Sequence, residues 1–208
     1  MDKEYWNSYY KSLNDELKPS LFAKYVMSNF IKDHRSLIEL GCGNGRDAVY
    51  FANEKITVLA VDQCEDEIKF LKNRYKQFEN IDFLSADFSN LDNDIKVDIV
   101  YSRFTLHSIS KEQETQTLNW AYGVLNTCGY FCIEVRGEIN EIYGKGEKVA
   151  GQENAYIFNG HYRRFLNFDE LCNSLKHLGF TLKYASEEKG FAPFKGDDET
   201  FIRIIAQK

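Results

Sequence analysis

The residues best able to do chemistry crowd one short stretch, where Glu39, Gly41, Gly43, Gly45 and Asp47 occupy alternate positions. Alternating glycines let the backbone turn tightly and approach a ligand with no Cβ in the way. Leu37, Ile38 and Leu40 precede them as an apolar run, which predicts a buried parallel strand. Ala48, Val49, Phe51 and Ala52 follow at helical spacing, with Asp47 placed to cap the helix or favour its dipole. Strand, glycine loop and helix together predict a nucleotide-type cradle. A dinucleotide fingerprint would read G-x-G-x-x-G and lay a pyrophosphate on the helix N-terminus. Here the glycines read G-x-G-x-G behind Glu39, whose charge a pyrophosphate would repel.

More candidates lie where later strands end. Residues 56–61 are an apolar, β-branched run that stops at Asp62, about 20 residues past the glycine loop. A strand-end acid there can accept hydrogen bonds from both ribose hydroxyls; capping the next helix is its other reading. Asp87 follows the strand expected at 81–85, and it also fits a cap for the turn before Leu91. Ser102, Arg103 and His107 lie in the exit loop of the strand expected at 96–101. With an ordinary pKa of about 6.5, His107 could remove a proton, or it could simply pack against or cap the following helix.

Arg136, His161, Arg163 and Arg164 bracket a long Gly-rich excursion that also holds Tyr143, Lys145 and Tyr162. A loop that long in a compact domain is more often functional than not. Guanidinium forks suit phosphate or carboxylate oxygens. With Arg103 they predict an anionic small-molecule acceptor, although surface charge facing Glu138, Glu141, Glu147 and Glu153 explains them too.

The string Glu39-Leu40-Gly41-Cys42-Gly43-Asn44-Gly45 resembles motif I of the class I S-adenosylmethionine-dependent methyltransferases. An acid beside a sulfonium- and amine-bearing cofactor is sensible chemistry. The resemblance makes Cys42, Asn44, Arg46, Asp47, Ser102 and Arg103 candidate cofactor contacts along with Glu39 and the glycines. It implies that Asp62 takes the ribose, that Gln63 and Cys64 pack on the adenine, and that Ala86, Asp87 and Phe88 meet its amino group and ring. It also implies an N-terminal cover over residues 1–35, where Tyr5, Tyr9 and Tyr10 would line the acceptor; packing on the core is the alternative. His107, Arg136 and His161 are the candidate catalytic residues. Ser102-Arg103-Phe104-Thr105 replaces the proline-rich motif of base-aminating relatives, which speaks against nucleobase N-methylation. The Gly160-His161-Tyr162-Arg163-Arg164-Phe165 string and the late Lys189-Gly190-Phe191-Ala192-Pro193 segment resemble small bacterial methyltransferases of capsule assembly, some thought to O-methylate phosphoramidate groups. N-methylation of a small amine and cofactor binding without turnover remain the alternatives.

These residues need a scaffold that brings strand ends together. The pattern predicts an α/β, Rossmann-like fold: a seven-stranded, mostly parallel sheet, helices on both faces, and a C-terminal antiparallel hairpin. A chain of 208 residues is expected to be one domain, with the acceptor-binding excursion over 136–166. Hydrophobic residues at 43% and charged residues at 28% suit a soluble globular protein. A net charge of −6 argues against gripping nucleic acid, which asks for a basic face. The polar start is unlike a signal peptide and no apolar run nears membrane-spanning length, so no membrane partner and a cytoplasmic location are expected. Five cysteines without a Cys-x-x-Cys pair predict reduced thiols and no metal site.

Overall fold

The computed structural model describes residues 18–208 apart from Lys32, His34 and Lys195. The expectations for Tyr5, Tyr9 and Tyr10, and most of the expected N-terminal cover, lie outside the described residues. The order is α1 (Leu21–Asn29), β1 (Ser36–Leu40), α2 (Arg46–Asn53), β2 (Thr57–Asp62), α3 (Glu65–Arg74), β3 (Ile81–Ser85) and β4 (Val97–Arg103). Then come α4 (Lys111–Val124), β5 (Leu125–Val135), β6 (Glu147–Lys148), β7 (Ala155–Phe158), β8 (His161–Arg164) and α5 (Phe168–His177). The chain closes with β9 (Thr181–Glu188), β10 (Pro193–Phe194), β11 (Asp197–Asp198) and β12 (Phe201–Gln207).

Seven strands form the main sheet in the order β3-β2-β1-β4-β5-β12-β9. The first five are parallel, and β12 runs antiparallel to both β5 and β9. This is the expected Rossmann-like sheet with its C-terminal antiparallel pair. Strand alternation sends Leu37, Tyr101, Cys132 and Ile205 to one face, where they pack with Phe22, Val26 and Phe51 from α1 and α2. Ile38, Val100, Ile133 and Ile204 point the other way, onto Leu118, Ala121, Leu171 and Leu175 from α4 and α5. Each such buried aliphatic or aromatic side chain contributes about 1.5–3 kcal/mol. Local signals set the helix starts. Ser20 caps α1 by accepting from the Ala23 N–H at 3.0 Å, and Ser110 with Gln113 makes a reciprocal capping box on α4. No helix among the described residues is long and apolar enough to cross a membrane.

The excursion after β5 is not an extended loop. Residues 147–164 form a second sheet, an antiparallel β6-β7-β8 meander. Tyr143, Tyr156 and Phe165 hold it together through edge-to-face contacts, with ring centroids 5.3–6.0 Å apart.

Because β2 and β4 flank β1 on opposite sides, with β3 outside β2, the chain reverses its winding between β1 and β4. The exits of these two strands therefore diverge and leave a crevice, the usual ligand position in such sheets. Gly41 and Thr105, one in each exit, touch there. Gly41 has φ +69°, and a Cβ at that position would collide with Thr105 Cγ2. Gly41→Ala is expected to lose about 1–3 kcal/mol from the left-handed backbone alone. Adding Thr105→Ser removes the colliding methyl and should recover the steric part. Urea unfolding of the two single variants and the double variant measures this, and strict additivity would show that the contact is unimportant.

Candidate active site

The glycine loop is tied to the end of β2. Gly43 N–H donates to Asp62 Oδ2 and Cys64 N–H to Asp62 Oδ1, both at 2.9 Å. Each carboxylate oxygen keeps room for a further donor, so Asp62 anchors the loop and can still accept from a diol. Glu39, at the end of β1, is 4% exposed, and its Oε2 has no hydrogen-bond partner among the described residues. Burial, reinforced by the neighbouring Asp47 charge, holds its carboxyl well above the usual range. A buried carboxylate short of a partner beside a tight glycine turn fits a cationic group. Gln63 Nε2 is likewise buried and without a partner.

Other predicted contacts have structural duties. Asp47 accepts from Ser20 N–H and Ser20 Oγ at 2.7 Å and from the Tyr101 hydroxyl at 3.0 Å. Its carboxylate therefore fastens the start of α1 to β4. Arg46 lies 3.9 Å from it and is partly exposed. Ser102 is fully buried and bonds Thr105, and Cys42 and Phe88 are core residues. Ala86 donates its N–H to the Asp62 carbonyl at 3.0 Å. Asp87 is exposed and caps a 3₁₀ turn through Oδ1, accepting from Ser89 N–H at 2.9 Å and Ser89 Oγ at 2.7 Å. For Asp87 both sequence readings, cap and ligand contact, are compatible with this geometry, whereas Asp62 caps no helix: α3 has Cys64 as its N-cap with no side-chain cap bond, and Asp62 reaches only the Cys64 N–H there.

His107 sits in the 3₁₀ turn Leu106–Ser108 beyond β4 and is 4% exposed. Its Nδ1 accepts from the Arg136 N–H at 3.5 Å, which puts the exits of β4 and β5 side by side. Burial, then the charges of Arg136, Arg163, His161 and Arg164, hold its pKa well below the ordinary value. His107, Arg136, His161, Arg163 and Arg164 are therefore brought into one electrostatic neighbourhood. Their side chains are differently committed. Arg136 pairs with Glu199 and donates to Asn140 Oδ1 at 2.8 Å. Arg164 is buried against Glu114 and the Ile109 carbonyl, and so braces β8 on α4. Arg163 donates to the Phe158 carbonyl at 2.9 Å. The Tyr143 hydroxyl donates to Asn154 and the Tyr162 hydroxyl to Gln152, while Lys145 is exposed.

One arrangement escaped sequence reasoning. Glu134 on β5 stands in register with Arg103 on β4 and Arg203 on β12. Arg203 Nε donates to Glu134 Oε1 at 2.7 Å, and Arg103 Nε pairs with Oε2 at 2.6 Å. Glu134 and Arg203 are completely buried. Charged residues inside β-strands at 134 and 203 were the available signal, but nothing local says that two distant strands will align them.

Sheet order, crevice and glycine loop define a Rossmann-like α/β domain with a ligand cradle at the exits of β1 and β4. Residues 37–129 match the protein family described as a methyltransferase domain. A viral relative named as a methyltransferase, 235L of Invertebrate iridescent virus 6, is 30% identical over 110 residues. That match takes in 52% of this chain and 40% of the viral protein, so the chain spans less than half of that relative's length. Among solved structures, the 1,6-didemethyltoxoflavin-N1-methyltransferase of Burkholderia thailandensis superposes with a TM-score of 0.69 at 21% identity. It covers 90% of this chain and 76% of its own, and holds 1,6-didemethyltoxoflavin and S-adenosylhomocysteine. The CcbJ methyltransferase of Streptomyces caelestis gives a TM-score of 0.74 at 16% identity, covering 100% and 99% of the two chains. At these identities the structural likeness carries the fold, and the match over residues 37–129 shows that this stretch is similar to the methyltransferase domain family.

The burial of His107 makes a pH prediction. Its folded pKa is depressed, so below about pH 6.5 the unfolded chain binds a proton that the folded chain refuses. Stability should fall as pH drops from about 6.5, by up to about 1.4 kcal/mol per unit for this one group. Glu39, with a raised pKa, works in the opposite sense by favouring the folded state toward acid. Comparing His107→Gln with the parent isolates the histidine: the gap in stability between pH 7.5 and 5.5 should narrow in the variant. An unchanged gap would show that His107 is not held neutral.

Proposed function

We propose that the protein transfers the methyl group of S-adenosylmethionine to an oxyanion of a small phosphoryl- or carboxylate-bearing acceptor. The observation that carries this reading is the place of His107: a buried imidazole at the exit of β4 that accepts from the Arg136 N–H at 3.5 Å, its pKa pushed down by burial and by the charges of Arg136, Arg163, His161 and Arg164. Such a field suits a negatively charged acceptor and disfavours a protonated amine. The likeness of the excursion to capsule-assembly enzymes supports a phosphoramidate-type acceptor within that class.

S-adenosylmethionine supplies an electrophilic methyl group on a sulfonium. In this reading the glycine loop from Gly41 to Gly45 offers close backbone approach, and Glu39 Oε2 takes up the cationic end. Asp62 would accept from the ribose hydroxyls through the lone pairs left by Gly43 and Cys64, with Gln63 beside the adenine. The remaining tasks are alignment and exclusion of water. A neutral imidazole of strongly depressed pKa is a weak base, whereas an oxyanion nucleophile already has its lone pair available. His107 therefore holds and shapes the acceptor pocket and removes no proton.

Two measurements test this. Asp62→Asn should weaken S-adenosylhomocysteine binding about 10- to 100-fold by calorimetry, since a hydrogen bond to a charged group contributes about 1.5–3 kcal/mol. Unchanged affinity would leave Asp62 as a loop anchor alone. Methyl transfer from labelled cofactor should proceed to phosphorylated or carboxylated small molecules and not to simple amines. With the accepted substrate, His107→Gln should lower kcat less than about tenfold. A loss of about 100-fold or more, with the near-neutral limb of the pH profile abolished, would restore His107 as a general base.

A further inference from the structure

The donors of the excursion's arginines are already engaged by Glu199, Glu114 and main-chain carbonyls, even where their charges are felt at His107. The row across β4, β5 and β12 is different, because Arg103 and Arg203 share a single carboxylate, Glu134. Arg203 also donates through Nη1 to the Glu188 carbonyl at 2.7 Å, yet its Nη2 is buried with no hydrogen-bond partner among the described residues. A buried guanidinium donor left unmet costs free energy until an acceptor fills the place. Of the nearby acids, Asp47 is engaged by Ser20, Tyr101 and Arg46, Glu39 is pushed toward its neutral form, and Glu188, which feels the Arg203 charge, is exposed and accepts from the Tyr184 hydroxyl.

We propose that Arg103 and Arg203, held apart by Glu134, form the binding site for the oxyanion of the methyl acceptor, a phosphoryl or carboxylate group. This rests on the methyl-transfer reading and names the residues that would recognise its substrate. Arg103 is the accessible end, with its side chain 12% exposed and its guanidinium 3.8 Å over the Phe104 ring. Arg203 is the buried end, stacked 4.7 Å from the Phe191 ring centroid. The row runs away from the glycine loop. Strands lie about 4.8 Å apart, so β12, three places from β1, is about 14 Å from the strand that carries Glu39. That distance assigns the anion to the acceptor side of the crevice. The other source of a carboxylate, the amino-acid end of the cofactor, would sit nearer β1.

Inorganic phosphate is the probe, added at constant ionic strength to protein already saturated with S-adenosylhomocysteine. Failure of the parent protein to bind S-adenosylhomocysteine at all would count against the function proposed above, and is seen before phosphate is added. With cofactor bound, phosphate should raise the melting temperature saturably. Arg103→Gln should abolish that rise while leaving S-adenosylhomocysteine affinity within about twofold. Arg203→Lys keeps the charge and loses the fork, and should weaken phosphate at least tenfold. Near-ultraviolet circular dichroism of each variant checks that it has folded. Three results overturn the proposal: no saturable phosphate effect on the parent, an undiminished effect in both arginine variants, or loss of cofactor affinity in Arg103→Gln. The last would place the cofactor's own carboxylate on the row. Abolition by Arg163→Gln in place of Arg103→Gln would move the anion to the small sheet.

Discussion

One carboxylate holds the working end of this sheet together. Glu134 is completely buried and reaches a guanidinium on each side, from β4 and from β12. Removing one partner of such a buried set commonly costs about 3–5 kcal/mol, because a charge is left uncompensated. The same attraction sets register: a one-residue slip of β12 would turn Arg203 to the opposite face and Ile204 into its place. With β12 positioned, Phe201 stacks on Phe104 at 4.6 Å and Arg136 lies 4.8 Å over Phe201. The exits of β4 and β5 and the start of β12 thus become one rigid tier above the crevice.

The crevice has two electrostatic ends with opposite unmet needs. At β1 a buried carboxylate oxygen, Glu39 Oε2, is short of a donor; at β12 a buried guanidinium nitrogen, Arg203 Nη2, is short of an acceptor. Buried polar groups without partners are uncommon in folded proteins and call for an explanation. A cationic methyl donor at one end and an anionic acceptor at the other would satisfy both. Opposite charges would then assist the alignment on which displacement depends.

The second sheet makes the positive side rigid. Its aromatic cluster of Tyr143, Tyr156 and Phe165 folds the excursion back on itself, and Arg164 clamps it to α4 through Glu114. Arg163 and His161 are thereby carried on a strand against the turn holding His107, where their charges can act on the imidazole. An ordered strand positions a charge more reproducibly than a mobile loop, and a fixed charge costs little reorganisation when the ligand changes.

The main-sheet strands, the sheet type and the glycine cradle were legible in the sequence because they rest on local patterns. Apolar runs of strand length, helical periodicity and alternating glycines report their own conformations, and the resemblance of motif I added an expected cofactor. The roles of single charged side chains were not legible. Arg136, Arg163 and Arg164 look alike in sequence, yet pairing with Glu199 and Glu114 and bonding to backbone carbonyls commit each differently. Asp47 reads as a helix cap and in fact joins Ser20 to Tyr101. Glu134 and Arg203 are separated by most of the C-terminal third of the chain, and only the antiparallel register of β5 with β12 brings them together. Backbone conformation is largely a matter between neighbours in sequence. The meaning of a charge depends on which counter-charge burial brings within reach and how much water remains, and both are decided by tertiary structure.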